Sequence, residues 1–208
     1  MKSVAAAAVD TRSRVAVLIS GAGSNLQALI DACASGALSA QVVVVVSSRT
    51  DAGGLSRARL AGIPTVALPH VGFADRDAHE RALVAALEPC RPDLIVLAGW
   101  MRVLGPTFLT RFGSRTINLH PALSGAFPGP NAIARAWAAF QRGEIDRTGV
   151  MVHRVVAEVD AGPVVAVCEV ALHSGESLPD LTARVRAEEH RLLVDAVGLT
   201  LTGDVPDC

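Results

Sequence analysis

Tyrosine is absent from this sequence, and tryptophan and phenylalanine number only two and five. A surface that stacks unpaired bases needs aromatic rings, so a single-strand binding platform is excluded. Lysine occurs once, at Lys2. Its scarcity removes lysine-dependent covalent chemistry and the lysine of a Walker phosphate loop. Charge excess is lacking too: 19 basic side chains meet 20 acidic ones, for a formal charge of −1. A nucleic-acid surface would show a clustered basic excess. The four cysteines, Cys33, Cys90, Cys168 and Cys208, form no CxxC pair. That removes the common zinc spacings and gives no disulfide framework. There is no GxSxG, and no cysteine lies in a catalytic signature. If the protein is an enzyme, its substrate brings the nucleophile. No apolar run approaches the length that spans a bilayer. The run from Val4 to Val9 is too short for a signal peptide. Residues 1–13 are therefore expected to form a disordered tail, and the protein to be cytoplasmic.

What is present is alternation. Short β-branched runs at residues 15–20 (VAVLIS), 41–47 (QVVVVVS) and 93–98 (DLIVLA) read as strands, the continuous Val run as one buried on both faces. A short strand is expected at 64–68 and another at 115–120, the latter ending in polar residues. Helical spacing fills 24–35, 54–61, 76–87, 131–142 and 178–197. A late strand pair at 150–155 and 163–171 has no helix between its members and is expected to run antiparallel. The pattern predicts one α/β domain over residues 14–208, Rossmann-like, with a mostly parallel twisted sheet and helices on both faces.

The first strand runs into Gly21, Gly23, Ser24 and Asn25 at a helix start. Glycines there permit positive φ and close backbone approach, and free N–H groups at a helix N-terminus suit an anion. A tight turn capped by Ser24 is the plain alternative. A dinucleotide fingerprint lacks its third glycine, because Leu26 and Gln27 follow Asn25. The second strand ends in Ser47, Ser48 and Arg49 rather than an acidic residue, which weakens NADP without excluding it. A monophosphate fits best. Further on, TINLHPAL puts Asn118 and His120 two apart at a strand end, so both side chains point the same way. An amide donor and an imidazole together suit a developing oxyanion. Asp160, in EVDAGPVV, is placed to orient His120 and raise its pKa. A capped turn, an edge histidine and a turn aspartate are the competing readings.

At ISGAGSNLQALI, LAGWMRVL, INLHPAL…FPG and AEVDAGPVV the chain resembles the phosphoribosylglycinamide formyltransferase family, in order from about Val15 to the closing helix. The resemblance implies a formyl transfer from 10-formyltetrahydrofolate to the amine of glycinamide ribonucleotide, with no metal and no nucleic-acid or membrane partner. It leaves monomer or homodimer open. Gly23, Ser24 and Asn25 would cradle the ribonucleotide phosphate, and Glu189 would contact the glycinamide substrate, unless it is an exposed helix charge. Asn118, His120 and Asp160 would be the catalytic trio. Met101, Arg102, Val103 and Leu104, with Asn118 and the loop Val156, Ala157, Glu158 and Val159, would form the pterin pocket. Arg76 would meet a carboxylate of the glutamyl tail, or else be a solvated helix-start arginine. One stretch departs from the family pattern: LSGAFPG, with Ser124 and Gly125, stands where LLPxxPG is common. Three rival readings stand beside it: formyltetrahydrofolate hydrolysis, methionyl-tRNA formylation, and a non-catalytic module binding NADP through Arg49. The first two would bring added domains, and none is expected in this chain.

Overall fold

A computed structural model describes residues 11–204. Its elements are β1 (Ser13–Ile19), α1 (Ser24–Ser35), β2 (Ala40–Ser47), α2 (Gly53–Leu60), β3 (Thr65–Ala67), α3 (Arg76–Leu87), β4 (Leu94–Leu97), α4 (Pro106–Phe112), β5 (Thr116–His120), α5 (Ala132–Gln141), β6 (Arg147–Arg154), β7 (Val164–Ala171) and α6 (Leu178–Thr202). The expected tail falls largely on residues 1–10, outside the described residues; Ser13 already belongs to β1.

The seven strands form one sheet in the order β3-β2-β1-β4-β5-β6-β7. β1 to β5 are mutually parallel where they pair. β6 then runs antiparallel to β5, and β7 to β6. The expected late antiparallel pair is therefore there, three residues longer at its start, because pairing continues from Arg147 to Ala171. Central β1 and β4 are buried along nearly their whole length. One apolar cluster packs α1 and α6 on one face of the sheet, and a second packs Leu83, Leu87, Phe108 and Phe112 on the other. Alternation along β1 sends Val15, Val17 and Ile19 to the first and Ala16 and Leu18 to the second.

Local signals set the ends. Asp75 caps α3 by accepting from the Ala78 N–H at 2.7 Å, and Ser177 and Asp180 close a capping box on α6. α6 runs to Thr202, beyond the expected end at 197, and stops where Gly203 turns left-handed. α4 is a helix with no counterpart in the sequence reading; its seven residues carry too few turns for a period to show.

The strand order places a topological switch between β1 and β4. From β1 the chain passes outward to β2 and β3, then returns to β4 on the other side. In open α/β sheets ligands sit at the carboxyl edge at such a point. The loops after β1 and after β4 open there, side by side.

The loop after β1 is packed more tightly than phosphate binding alone would need. Gly23 has φ +75°, and a Cβ on it would lie 2.5 Å from Gly54 Cα. The Gly54 N–H meanwhile donates to the Gly21 carbonyl at 3.1 Å. Gly23 is thus required by the protein's own packing against α2. Gly21 has neither a positive φ nor any atom within 4 Å of an added Cβ, so it does not use the conformational freedom expected of it. Gly23→Val should cost more than about 2 kcal/mol of folding stability through strain and overlap. Gly21→Ala should leave stability unchanged within about 0.5 kcal/mol. Urea denaturation midpoints of the two variants against the wild type decide this, and equal midpoints would refute the packing argument.

Candidate active site

The carboxyl ends of β4 and β5 open on a cavity of about 530 Å³. Met101, Arg102, Val103 and Leu104 line it from the loop after β4; Val156, Ala157, Glu158, Val159 and Asp160 line it from the connection between β6 and β7. Asn118, His120 and His153 also line it. Several apolar side chains are exposed around it: Met101 by 68%, Val103 by 54% and Val159 by 45%. Large apolar groups left in solvent beside a concave site mark a surface meant to be covered by a ligand.

Asp160 gathers the polar groups of this cavity. Its Oδ1 accepts from Asn118 Nδ2 at 3.1 Å, and its Oδ2 accepts from the Gly129 N–H at 2.8 Å. His120 Nδ1 lies 3.3 Å from Oδ2, and His153 Nε2 lies 3.6 Å from Oδ1. The residue has φ +54°, a left-handed backbone that aspartate tolerates better than most side chains. Two positions later Gly162 is obligatory, because a Cβ there would fall 1.8 Å from the Arg154 carbonyl oxygen. The turn that aims Asp160 is thus fixed by close backbone contact.

His153 escaped the sequence reading. Register pairs it with Asn118 across the antiparallel β5–β6 ladder, and Asn118 Nδ2 stands 3.1 Å from its Nε2. Its Nδ1 donates to the Arg154 carbonyl at 2.8 Å. Only strand register brings it here, though a histidine in the otherwise apolar VMVHR was a visible oddity. Burial shows the same limit of sequence: His120 and His153 are 4% and 2% exposed.

That burial reverses one expectation. The removal of water around His120 lowers its pKa and outweighs the opposing pull of Asp160 and of the Phe127 carbonyl. The imidazole is therefore held below its ordinary range, where Asp160 alone was expected to raise it. Both ring nitrogens nonetheless face acceptors: Nδ1 the carboxylate, and Nε2 the Phe127 carbonyl at 3.2 Å. A neutral ring satisfies one of them and an imidazolium satisfies both. Burial works to raise the Asp160 pKa, but contacts with His153, the Gly129 N–H and His120 win and hold it down.

The loop over residues 121–131, where the sequence departs from the family pattern, is built into the site. Gly125, Phe127, Gly129 and Asn131 all have positive φ. Arg135 donates to the Phe127 and Pro128 carbonyls and so braces the strained stretch.

The remaining candidates lie beyond the cavity lining. No side chain caps α1, whose N-cap is Gly23, so Ser24 does not serve as the capping residue. Asn25 donates to Glu189 at 3.5 Å. Glu189 is 8% exposed rather than a solvated helix charge, and burial raises its pKa. Asn25 Oδ1 is buried with no hydrogen-bond partner. Arg76 donates its Nε to Glu80 at 2.9 Å and does not line the cavity. Arg49 is engaged by Asp51 at the surface. Among the described residues no helix is long and apolar enough to cross a membrane, and no cluster of three metal-ligating side chains occurs.

Comparison with known proteins adds independent observations. A formyl transferase family model matches residues 13–197. The phosphoribosylglycinamide formyltransferase of Escherichia coli (strain K12) is 42% identical over 178 residues, covering 86% of this chain and 82% of the relative. That of Schizosaccharomyces pombe (strain 972 / ATCC 24843) is 43% identical over 201 residues, covering 89% and 96%. The crystal structure of glycinamide ribonucleotide transformylase 1 from Symbiobacterium toebii superposes with a TM-score of 0.87 at 40% identity, covering 92% of this chain and 89% of that one.

The pKa of His120 carries a pH signature. Its folded value lies below the ordinary histidine value of 6.5, so the folded state binds fewer protons than the unfolded state as pH falls. The stability this contributes is complete above about pH 6.5 and is lost as pH drops through the folded value. His190 is shifted the same way, but it is common to both proteins and cancels in a difference. The unfolding free energy of the wild type relative to His120→Gln should shrink as pH falls from about 7 to 5. A difference that grows toward acid would mean that the imidazole is charged in the resting site.

Proposed function

Since the chain belongs to the formyl transferase family, in its phosphoribosylglycinamide formyltransferase branch, we propose that it moves the formyl group of 10-formyltetrahydrofolate onto the amine of glycinamide ribonucleotide by direct attack. The supporting observation is the convergence of Asn118, His120 and Asp160 in a cavity whose wall also carries the exposed apolar side chains of Met101, Val103 and Val159. The apolar wall suits the pterin ring. The polar trio suits the one atom that becomes charged.

The amine of the ribonucleotide attacks the formyl carbon, and the carbonyl electrons move onto oxygen. This oxyanion forms beside Asn118, whose amide donates to it. His120, neutral at rest, takes the proton released by the attacking nitrogen. The resulting imidazolium keeps Nδ1 on the Asp160 carboxylate and shares its Nε2–H between the Phe127 carbonyl and the oxyanion. Burial disfavours the cation until negative charge appears next to it, and then the same low dielectric strengthens the pairing. Proton return to N10 of the folate, directly or through a water held by Asp160, lets the carbon–nitrogen bond break. The oxyanion collapses to the new formamide and tetrahydrofolate leaves. Gly23, Ser24 and Asn25 receive the ribonucleotide phosphate at the start of α1. Buried Glu189, with Asn25, contacts the glycinamide end.

Formylation of glycinamide ribonucleotide by the purified protein is the direct test. Absence of product with 10-formyltetrahydrofolate as donor would sink the assignment. Asn118→Ala and His120→Ala should each lower kcat about a hundred- to a thousand-fold. Both should keep the wild-type circular dichroism spectrum. Near-wild-type turnover in either variant would remove that residue from the oxyanion site.

A further inference from the structure

The wall formed by residues 100–105 has no regular secondary structure, yet it carries exposed Met101 and Val103 into the site. Such a stretch keeps its shape only through contacts from elsewhere. Three occur. Trp100 stacks on His79 at 6.3 Å between ring centroids. The Met101 N–H donates to Ser20 Oγ at 2.8 Å, and that hydroxyl is paired with Ser48 Oγ at 2.6 Å. The Gly105 N–H donates to Glu80 Oε1 at 2.6 Å.

Glu80 stands out among these. It lies on α3, in the sequence RDAHERALVAAL, and is 2% exposed. A buried carboxylate survives only when its lone pairs are met. Here Oε1 accepts from Gly105 and from Arg76 Nε, and Oε2 accepts from the Phe108 N–H at 3.3 Å. Two backbone donors at the start of α4 and one guanidinium therefore satisfy it. The space around it is fully used: a Cβ on Gly105 would lie 2.7 Å from both Glu80 Oε1 and an Arg76 guanidinium nitrogen.

We propose that Glu80 is a positioning residue for the folate, a buried carboxylate that pins the end of the 100–105 wall so that Met101 to Leu104 keep the shape of the pterin pocket. This rests on the folate reading given above. Arg76 then acts as the counter-charge that makes Glu80 tolerable in the interior, in place of the direct contact with a glutamyl tail expected of it. The wall is held at both ends, by Ser20 at Met101 and by Glu80 at Gly105, while Asn118 and His120 sit on β5 and Asp160 on the connection between β6 and β7. Loosening the wall should therefore weaken folate binding and spare the rest.

Glu80→Gln keeps the shape but replaces one accepting oxygen with an N–H group that cannot accept from Gly105 or Phe108. Titration calorimetry with tetrahydrofolate should show a Kd raised about tenfold or more, the loss of one hydrogen bond to a charged group. The KM for glycinamide ribonucleotide should stay within twofold, and kcat at saturating folate within about threefold. Glu80→Asp, which keeps the charge, should restore part of the folate affinity. Should Glu80→Gln fail to fold, Gly105→Ala disturbs the same contact from the other partner and should give the same folate-selective shift. An unchanged folate Kd in a folded variant, or equal rises in both KM values, would overturn the role of Glu80. A wild-type protein that binds no tetrahydrofolate would instead bring down the folate reading itself, an outcome separable from the first two.

Discussion

Asp160 holds together pieces of chain that arrive from different directions: the end of β5 through Asn118 and His120, the 121–131 loop through the Gly129 N–H, and the end of β6 through His153. Its two oxygens accept more contacts than a surface carboxylate normally makes, and it reaches them from a left-handed backbone that Gly162 makes room for. Without that carboxylate, buried histidines would sit beside an amide with nothing to balance a charge on either ring. At His120 burial pushes one way and Asp160 the other, and burial prevails, so the imidazole is held below its ordinary range; in the proposed reaction it gains charge when an anion forms beside it.

The scaffold supports this balance by where it places strand ends. Parallel strands deliver the glycine loop and the 100–105 wall to one edge at the switch between β1 and β4. The antiparallel hairpin of β6 and β7 then brings His153 and Asp160 to the same edge from the opposite chain direction. Side chains on paired strands are held more exactly in space than side chains on loops. The loops that remain are each tied by a named contact: Ser20 and Glu80 for one wall, Arg135 for the strained carbonyls beside His120.

Much of this was legible beforehand because the signals are short-range. Val runs bounded by glycine announce parallel strands, and Asn118 and His120 share a face by period alone. Long-range facts were hidden. His153 joins Asn118 through a register that no local pattern encodes. Glu80 sits in a helix whose other charges are exposed, and only the arrival of Gly105 shows why it is inside. The direction of the His120 shift depended on how much water its neighbours exclude, which composition does not report. Glu189 had the same ambiguity, and burial resolved it against the solvated reading. α4 was too short to display a period.

The late position of the β6–β7 hairpin in the chain has a consequence for how the site comes into being. Asn118 and Asp160 are separated by 42 residues, and Asn25 and Glu189 by 164. Contacts at such separations close late, because the intervening chain must first lose its freedom. A nascent chain could lay down its five parallel strands, with the glycine loop and the 100–105 wall in place, and still lack the carboxylate. Such an intermediate would hold Asn118 and His120 beside a half-built cavity that lacks residues 153–160 and Glu189, so the site is complete only once the last third of the chain has docked.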